Sequence, residues 1–573
     1  MSLKWRIAVA RGDAEPDLVL RGGTLVNVFS GRLERADVAF ADGRVVAVGP
    51  DIGGPEEVDC RGRWLAPGFI DAHMHLESTM VTLGEFARAV VPRGTTAVVL
   101  DPHEIANVHG VAGIRWVLDS RAGVPLSAFV MASSCVPATH METSGVRLEA
   151  EDLAPLLGEA GVLGLAEVMN YPGVVAGDGA LLAKLRVARG RVVDGHAPGL
   201  AGRALDAYLV AGPGSDHEAT APEEAREKLS KGMRILIREG STARNLDALL
   251  PLVTWASERR CCFATDDRHP ADLLAHGHID HVLRRAIAGG LEPAIAYRLA
   301  TLNAAEWFGL DRCGHGAIGP GSRADVVVLA DLEGVAVAET YVAGRRVASA
   351  GALLRPPAAA PPPPAGAVRL PPRWWEALRV PWRDAPARVI EVIPGQIVTA
   401  TGMAAPGRDA DGTVALDPDD DIRKLAVVER HGISGRVGVG LVGGLGLPRG
   451  ALASSVAHDS HNVIVAGADD ASMRAAAEAL VDVGGGLAVA LGDAVLARLP
   501  LPIAGLMSDR PLEEVAQGLR GVLAAYRELG GTLAEPFMAL SFLALPVIPT
   551  LKLTDHGLVD VARFQVVPLW ATE

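Results

Sequence analysis

Two histidines spaced one residue apart close a short apolar segment, Phe69-Ile-Asp-Ala-His73-Met-His75. In an extended strand, residues i and i+2 point to the same side, so both imidazoles can reach one cation. A single buried histidine ordinarily plays a structural part. The pair, with Asp71 two residues before the first, points instead to metal chemistry. Further along, Glu167, His196, His217 and Asp266 each stand at the end of an apolar run. Each alone reads equally well as a cap or a hydrogen-bonded polar group. Together the six supply four imidazoles and two carboxylates, enough to hold two divalent ions with a bridging carboxylate. Burying such a set is costly unless it binds metal or pairs internally.

These residues need a scaffold that brings distant segments to one face. Apolar strands are expected to end near His75, Asp101, Ser134, Glu167, His196, His217, Glu239 and Asp266. Helical segments alternate with them. Pro222 to Gly232 is one, opened by a proline and closed by a glycine. Eight β/α units over roughly 200–250 residues fit a TIM-like (β/α)8 barrel, which carries its chemistry where the strands end. Before it, residues 17–60 read as short β segments separated by turns at Gly22-Gly23 and Asp42-Gly43. The same texture returns at 317–348, so a small composite β-sandwich domain built from both flanks is expected. Pro356 to Ala365, followed by Pro371-Pro372, reads as a stiff linker. The expected α/β protein therefore has a composite β domain (1–65 plus 310–355) and a metal-binding barrel (66–309). A Pro-rich linker (356–372) leads to an additional C-terminal α/β domain (373–573).

Bulk properties agree with a multidomain globular chain. Its 573 residues exceed what one core usually organises, roughly 250–300. A formal charge of −14 disfavours binding to a nucleic-acid backbone. The five cysteines form no C-x-x-C pair, which suggests a reduced, cytoplasmic protein without a disulfide framework. Met1 to Arg11 lacks an apolar core of secretory length. No apolar run is long enough to span a bilayer, and Phe537 to Leu551, with Pro546 and Pro549, reads as buried core. Gly443-Gly-Leu-Gly and Gly484-Gly-Gly are too loose for nucleotide-binding fingerprints.

Several longer motifs carry a resemblance. Pro67-Gly-Phe-Ile-Asp-Ala-His-Met-His75 followed by Leu-Glu-Ser is similar to the signature of the amidohydrolase superfamily in its adenine deaminase form. So are Asp101-Pro-His-Glu-Ile-Ala-Asn-Val108, Gly195-His-Ala-Pro-Gly199, Ser215-Asp-His-Glu218, Arg238-Glu-Gly-Ser241 and Thr265-Asp-Asp-Arg-His-Pro270. In the last domain, Ala453-Ser-Ser-Val-Ala-His-Asp-Ser-His-Asn462 joins them. The likeness covers nearly the whole chain, and only the segment 356–365 has no counterpart.

The resemblance implies that His73 and His75 bind one metal with Asp266, that His196 and His217 bind the second, and that Glu167 bridges them. Other amidohydrolases place a carboxylated lysine at the bridge. Gly161 to Glu167 contains no lysine, so Glu167 is the candidate. Nitrogen and oxygen donors without thiolate suit Mn or Fe(II), and also Zn; the family favours Mn or Fe. The implied chemistry is hydrolytic deamination of adenine at C6 by a metal-activated hydroxide. Asp266 takes and returns the proton. Glu218 either donates a proton to the ring or orients its neighbour His217, and His103 is a further catalytic candidate. Glu104, Asp101, Arg238 and Ser241 are the expected substrate-binding residues. His458-Asp459-Ser460-His461 either caps the mouth, holds another ion, or forms a hydrogen-bonded turn. The expected partners are a small-molecule substrate and further copies of the chain, as a dimer or tetramer, with no nucleic acid and no membrane. Two other readings stand beside this one. A cyclic amide or imide hydrolase would normally need the carboxylated lysine. A non-catalytic binding protein on the same scaffold would normally have lost metal ligands.

Overall fold

The computed structural model describes residues 3–365, 368–417 and 419–571. Residues 366–367, which fall in the expected linker, and residues 1–2 at the start of the expected β domain lie outside the described residues.

Eight parallel strands form the centre. Phe69–Met74, Thr95–Leu100, Ser127–Ala132, Val162–Val168 and Val192–Gly195 make one sheet in sequence order; Ser215–Asp216, Arg234–Arg238 and Cys261–Ala264 make a second. Hydrogen bonds cross both seams between the sheets. His75 donates to the Asp266 carbonyl at 3.1 Å and Asp266 to that of His73 at 3.0 Å, while Gly214 donates to Val193 at 3.0 Å. The strands are buried on both faces, as parallel strands covered by helices must be. All eight lie where the apolar runs placed them, and Pro222–Ser230 is helical.

A nine-stranded sheet combines the two flanks. Trp64–Pro67, which leads directly into the first central strand, pairs with Leu18–Asn27 on one side and with Val326–Asp331 on the other. One expectation fails here. Gly22-Gly23 is not a turn, because Leu18–Asn27 is a single strand that runs through it with a register shift between Leu20 and Gly23. The pair forms a bulge. Gly22 takes a positive φ of 68°, and a Cβ on Gly23 would lie 2.7 Å from the Leu65 side chain. Asp42-Gly43 is a turn as expected, with φ positive at both residues.

Beyond residue 372 an eight-stranded, mostly antiparallel sheet carries the helices Asp470–Val481 and Leu512–Glu528. One apolar core runs without a break from the central strands into this region, joining Leu100, Val130 and Leu165 to Leu452, Ile464 and Leu540. Polar contacts lock the two together: Asn462 Nδ2 donates to the Thr143 carbonyl at 2.9 Å, and Thr554 Oγ1 to that of Met141 at 2.6 Å. The Pro-rich segment lies against the outside of the central unit, where Trp116 Nε1 donates to the Pro361 carbonyl at 2.9 Å. Phe537 to Leu551 is mostly buried within the protein, and among the described residues no helix is long and apolar enough to cross a membrane.

Candidate active site

The six ligand-type residues converge at the ends of the central strands, all of them 5% exposed or less. Each imidazole of the first pair is held from behind. His73 Nδ1 lies 3.2 Å from Asp194 Oδ2, and His75 Nδ1 lies 2.9 Å from the Asp101 carbonyl. Their Nε2 atoms therefore face inward, 3.6 and 3.1 Å from Asp266 Oδ1. Asp266 reaches them from a left-handed turn, φ 56°, which aspartate tolerates better than most residues.

Glu167 stands between two histidine pairs. Its Oε1 is 3.8 Å from His73 Nε2 and 3.4 Å from His75 Nε2; its Oε2 is 2.6 Å from His196 Nδ1 and 3.5 Å from His217 Nε2. One carboxylate thus offers a separate oxygen to each pair. The buried His73 Nε2, His196 Nε2 and His217 Nδ1 have no hydrogen-bond partner. Stranded buried donors and acceptors are costly, and an all-nitrogen-and-oxygen donor set of this kind fits divalent cations. Among the described residues, the overlapping groups His73/His75/Asp266, His73/Glu167/His217 and His196/His217/Glu218 each bring their ligand atoms within 4.8 Å of one another.

The electrostatics follow from that crowding. Burial opposes a charged His75, yet the bond to Asp266 overrides it and lifts the imidazole up to about 10. Burial also opposes a charged Glu167, but His196 and His217 hold it well below the usual carboxylate range. Asp266 is held low in the same way, chiefly by Arg238. Metal ligands must be deprotonated to bind, so metal and protons compete for these groups.

The remaining candidates divide. Arg238 Nη1 donates to Glu218 Oε1 at 2.6 Å and to Asp266 Oδ2 at 2.8 Å, and Nη2 donates to Glu218 Oε2 at 3.1 Å. His103 lines the cavity above the site, with Nδ1 3.4 Å from Asp101 Oδ2 and 3.6 Å from Glu167 Oε1. Glu104 lines it too, and burial raises its carboxyl to about 8. Asp101 lies beneath, accepting the His103 amide at 3.1 Å. Ser241 is not among the described lining residues; its hydroxyl accepts the His269 amide at 2.8 Å, and the wall beside it is Thr242 and Ala243.

Several residues of the site escaped the sequence reading. Asp194 supports His73, and its signal was available: it stands two residues before His196, on the strand Val192–Gly195 that leads into that histidine. Lys228 is fully buried, and its Nζ donates to the Ala197 carbonyl at 2.6 Å, Asp216 Oδ2 at 2.9 Å and Glu224 Oε1 at 2.6 Å. It ties together the turns that carry His196 and His217. The far wall of the cavity comes largely from the C-terminal region through His458, Asp459, Phe542, Leu545 and Ile548. His458 and Asp459 therefore wall the cavity, the segment is a turn in which the His461 amide donates to the Ala457 carbonyl at 2.8 Å, and His458 and His461 bring ligand atoms within 4.8 Å of Glu104.

Comparison with known proteins gives the family. Residues 64–347 match the amidohydrolase family, and residues 396–565 match the adenine deaminase C-terminal domain. An adenine deaminase of Desulfatibacillum aliphaticivorans is 50% identical over 568 residues, covering 98% of this chain and 99% of that protein. One from Cereibacter sphaeroides is 50% identical over 570 residues, covering 99% and 100%. One from Dehalococcoides mccartyi is 46% identical over 569 residues, covering 99% of each. Among solved structures, dihydropyrimidinase from Brevibacillus agri matches 59% of this chain and 96% of its own, at 16% identity and a TM-score of 0.46. The chain belongs to the adenine deaminase family of amidohydrolases.

Proposed function

We propose that the chain converts adenine and water to hypoxanthine and ammonia, and that it works with two divalent ions, Mn or Fe(II) in preference to Zn. The observation that carries this reading is Glu167, whose two oxygens face two separate histidine pairs. His73, His75 and Asp266 would hold one ion, His196 and His217 the other, with Glu167 shared. On this reading the eight central strands act as a closed (β/α)8 barrel. The flanking sheet is the composite domain (1–65 plus 310–355), and the region after the Pro-rich linker (356–372) is the third domain (373–573).

When bound, the ion pair supplies hydroxide at neutral pH; the protein does the rest. Asp266, oriented by Arg238 and kept ionised, takes the proton of the attacking oxygen and returns it to the departing amine. Glu218 is held by both arms of Arg238, and burial is outweighed by Arg238 so that it stays below the ordinary carboxylate range. That favours an orienting role for Glu218 over proton donation. Glu104 faces the same cavity and, raised to about 8, keeps its proton at neutral pH. It is the carboxyl suited to protonate the ring nitrogen next to C6. His103 supports the carboxylates around it and lines the substrate's path.

Comparing adenine with adenosine tests the assignment. Adenine should be turned over, with adenosine at least about a hundredfold poorer, because a site built to pair a ring N–H rejects an analogue lacking it. Equal rates on the two would remove the free-base assignment. Activity on dihydroorotate or hydantoin with none on adenine would remove the deaminase reading.

A further inference from the structure

Asp459 lies in the C-terminal region, yet it lines the same cavity as the metal-type cluster. It is 1% exposed. One oxygen, Oδ1, lies at ion-pair distance from two imidazoles, 3.5 Å from His103 Nε2 and 3.4 Å from His458 Nδ1. The other, Oδ2, is buried and has no hydrogen-bond partner. Buried carboxylate oxygens normally find donors.

The surroundings favour an ionised Asp459. His103 and His458 flank it, and the His458 ring is fixed by stacking on Phe542, with centroids 4.5 Å apart and planes inclined by 21°. An ionised carboxylate accepts hydrogen bonds and cannot donate, so the missing partner is an N–H or O–H. The place of Asp459 relative to the cluster is also defined. His103 Nδ1 is 3.6 Å from Glu167 Oε1, and its Nε2 is 3.5 Å from Asp459 Oδ1. Asp459 is therefore set off from the bridging carboxylate by one imidazole ring. A purine whose six-membered ring is attacked at the cluster extends its five-membered ring by a comparable step. Phe542, Leu545 and Ile548 supply an apolar face beside it.

We infer that Asp459 is a specificity-determining residue, accepting the N–H of the purine's five-membered ring through its Oδ2. This rests on the deaminase reading and adds to it. The preference for a free base over a 9-substituted one would reside in the C-terminal region, outside the metal-binding unit. A substituted purine would leave Oδ2 buried without a donor and would also crowd the apolar side chains of Phe542 and Ile548 that line the cavity.

The test uses the full-length, metal-loaded chain and its Asp459→Asn variant with adenine, 7-methyladenine and 9-methyladenine. Turnover of adenine by the parent reports on the deaminase reading separately. In the variant, kcat/KM for adenine should fall about 10–100-fold, the effect of losing a hydrogen bond to a charged group, chiefly through KM. The rate on the methylated base that lacks the recognised N–H should stay within about threefold, so the ratio between substrates collapses. Metal content and melting temperature should be unchanged. An equal fall on all three substrates, or no fall on adenine, overturns the inference. If the variant does not fold, the parent still decides: one methyl isomer must bind at least about a hundredfold more weakly than adenine. Indifference to both methyl groups overturns it.

Discussion

Replacing Lys228 with methionine should weaken one metal position and spare the other. The Nζ atom has three acceptors, the Ala197 carbonyl, Asp216 and Glu224, and both Lys228 and Asp216 are fully buried. Burial opposes a charged lysine, but Asp216 and Glu224 outweigh it and raise its pKa, so the lysine stays charged throughout the physiological range. Removing one member of a buried pair typically costs about 3–5 kcal/mol. The lower figure applies here, because Asp216 keeps two backbone donors, Ala197 and Ala219, each at 2.9 Å. Glu224 can turn to solvent. Methionine preserves most of the volume, so little cavity forms. The consequence for the site is local. Ala197 follows His196 and Asp216 precedes His217, so both imidazoles of one pair lose their fixed backbone. Loss of such outer support lowers metal affinity by about 10–100-fold. The other pair is held by Asp194, the Asp101 carbonyl and the Asp71–Thr265 bonds, none of which involves Lys228. Chelator competition on the Lys228→Met protein, followed by elemental analysis, should show one ion leaving about 10–100-fold more readily and the second leaving as in the parent. Equal weakening of both ions, or no weakening with an unchanged melting temperature, would refute the reasoning.

Glu167→Gln should deplete both metal positions in elemental analysis, since the amide keeps one oxygen acceptor but loses the shared charge; full metal content would place the bridge elsewhere. Asp266→Asn should remain folded by circular dichroism and lose about 10²–10⁴-fold in kcat, the usual contribution of a proton-transferring carboxylate. A rate within about threefold of the parent would exclude it from proton transfer. Lys552 is fully buried, its ammonium donating to the Ile397 carbonyl at 2.9 Å, and burial lowers its pKa to about 7. The unfolded side chain titrates near about 10.4, so between these values the unfolded chain holds the extra proton and stability rises with pH. Urea midpoints at pH 7 and 9.5 should show the parent gaining about 3 kcal/mol more than Lys552→Met, and parallel curves would refute this.

What the sequence reveals about this protein follows the range of each interaction. His73 and His75 are legible because a two-residue spacing on a strand is a local geometric statement. The ends of the eight central strands are legible because short apolar runs closed by polar residues mark them. Asp194 was within reach by the same rule, through its spacing to His196. Lys228 was not. On a helix rich in Glu, Arg and Lys it reads as one more solvated charge, and only the fold shows it buried beneath two turns. The Gly22-Gly23 pair is ambiguous for a physical reason, since a positive φ serves a bulge as well as a turn. The cavity wall of His458, Asp459 and Phe542 depends on packing between segments more than 300 residues apart, and no local pattern encodes that.

The central claim is tested most directly by stripping the chain of metal and restoring Mn or Fe(II) in measured equivalents while following ammonia and hypoxanthine formed from adenine. Activity should be absent without metal, should rise until two equivalents per chain are bound, and should release one ammonia per hypoxanthine. Adenine left intact by protein carrying two equivalents, or full activity with fewer than one, would contradict it.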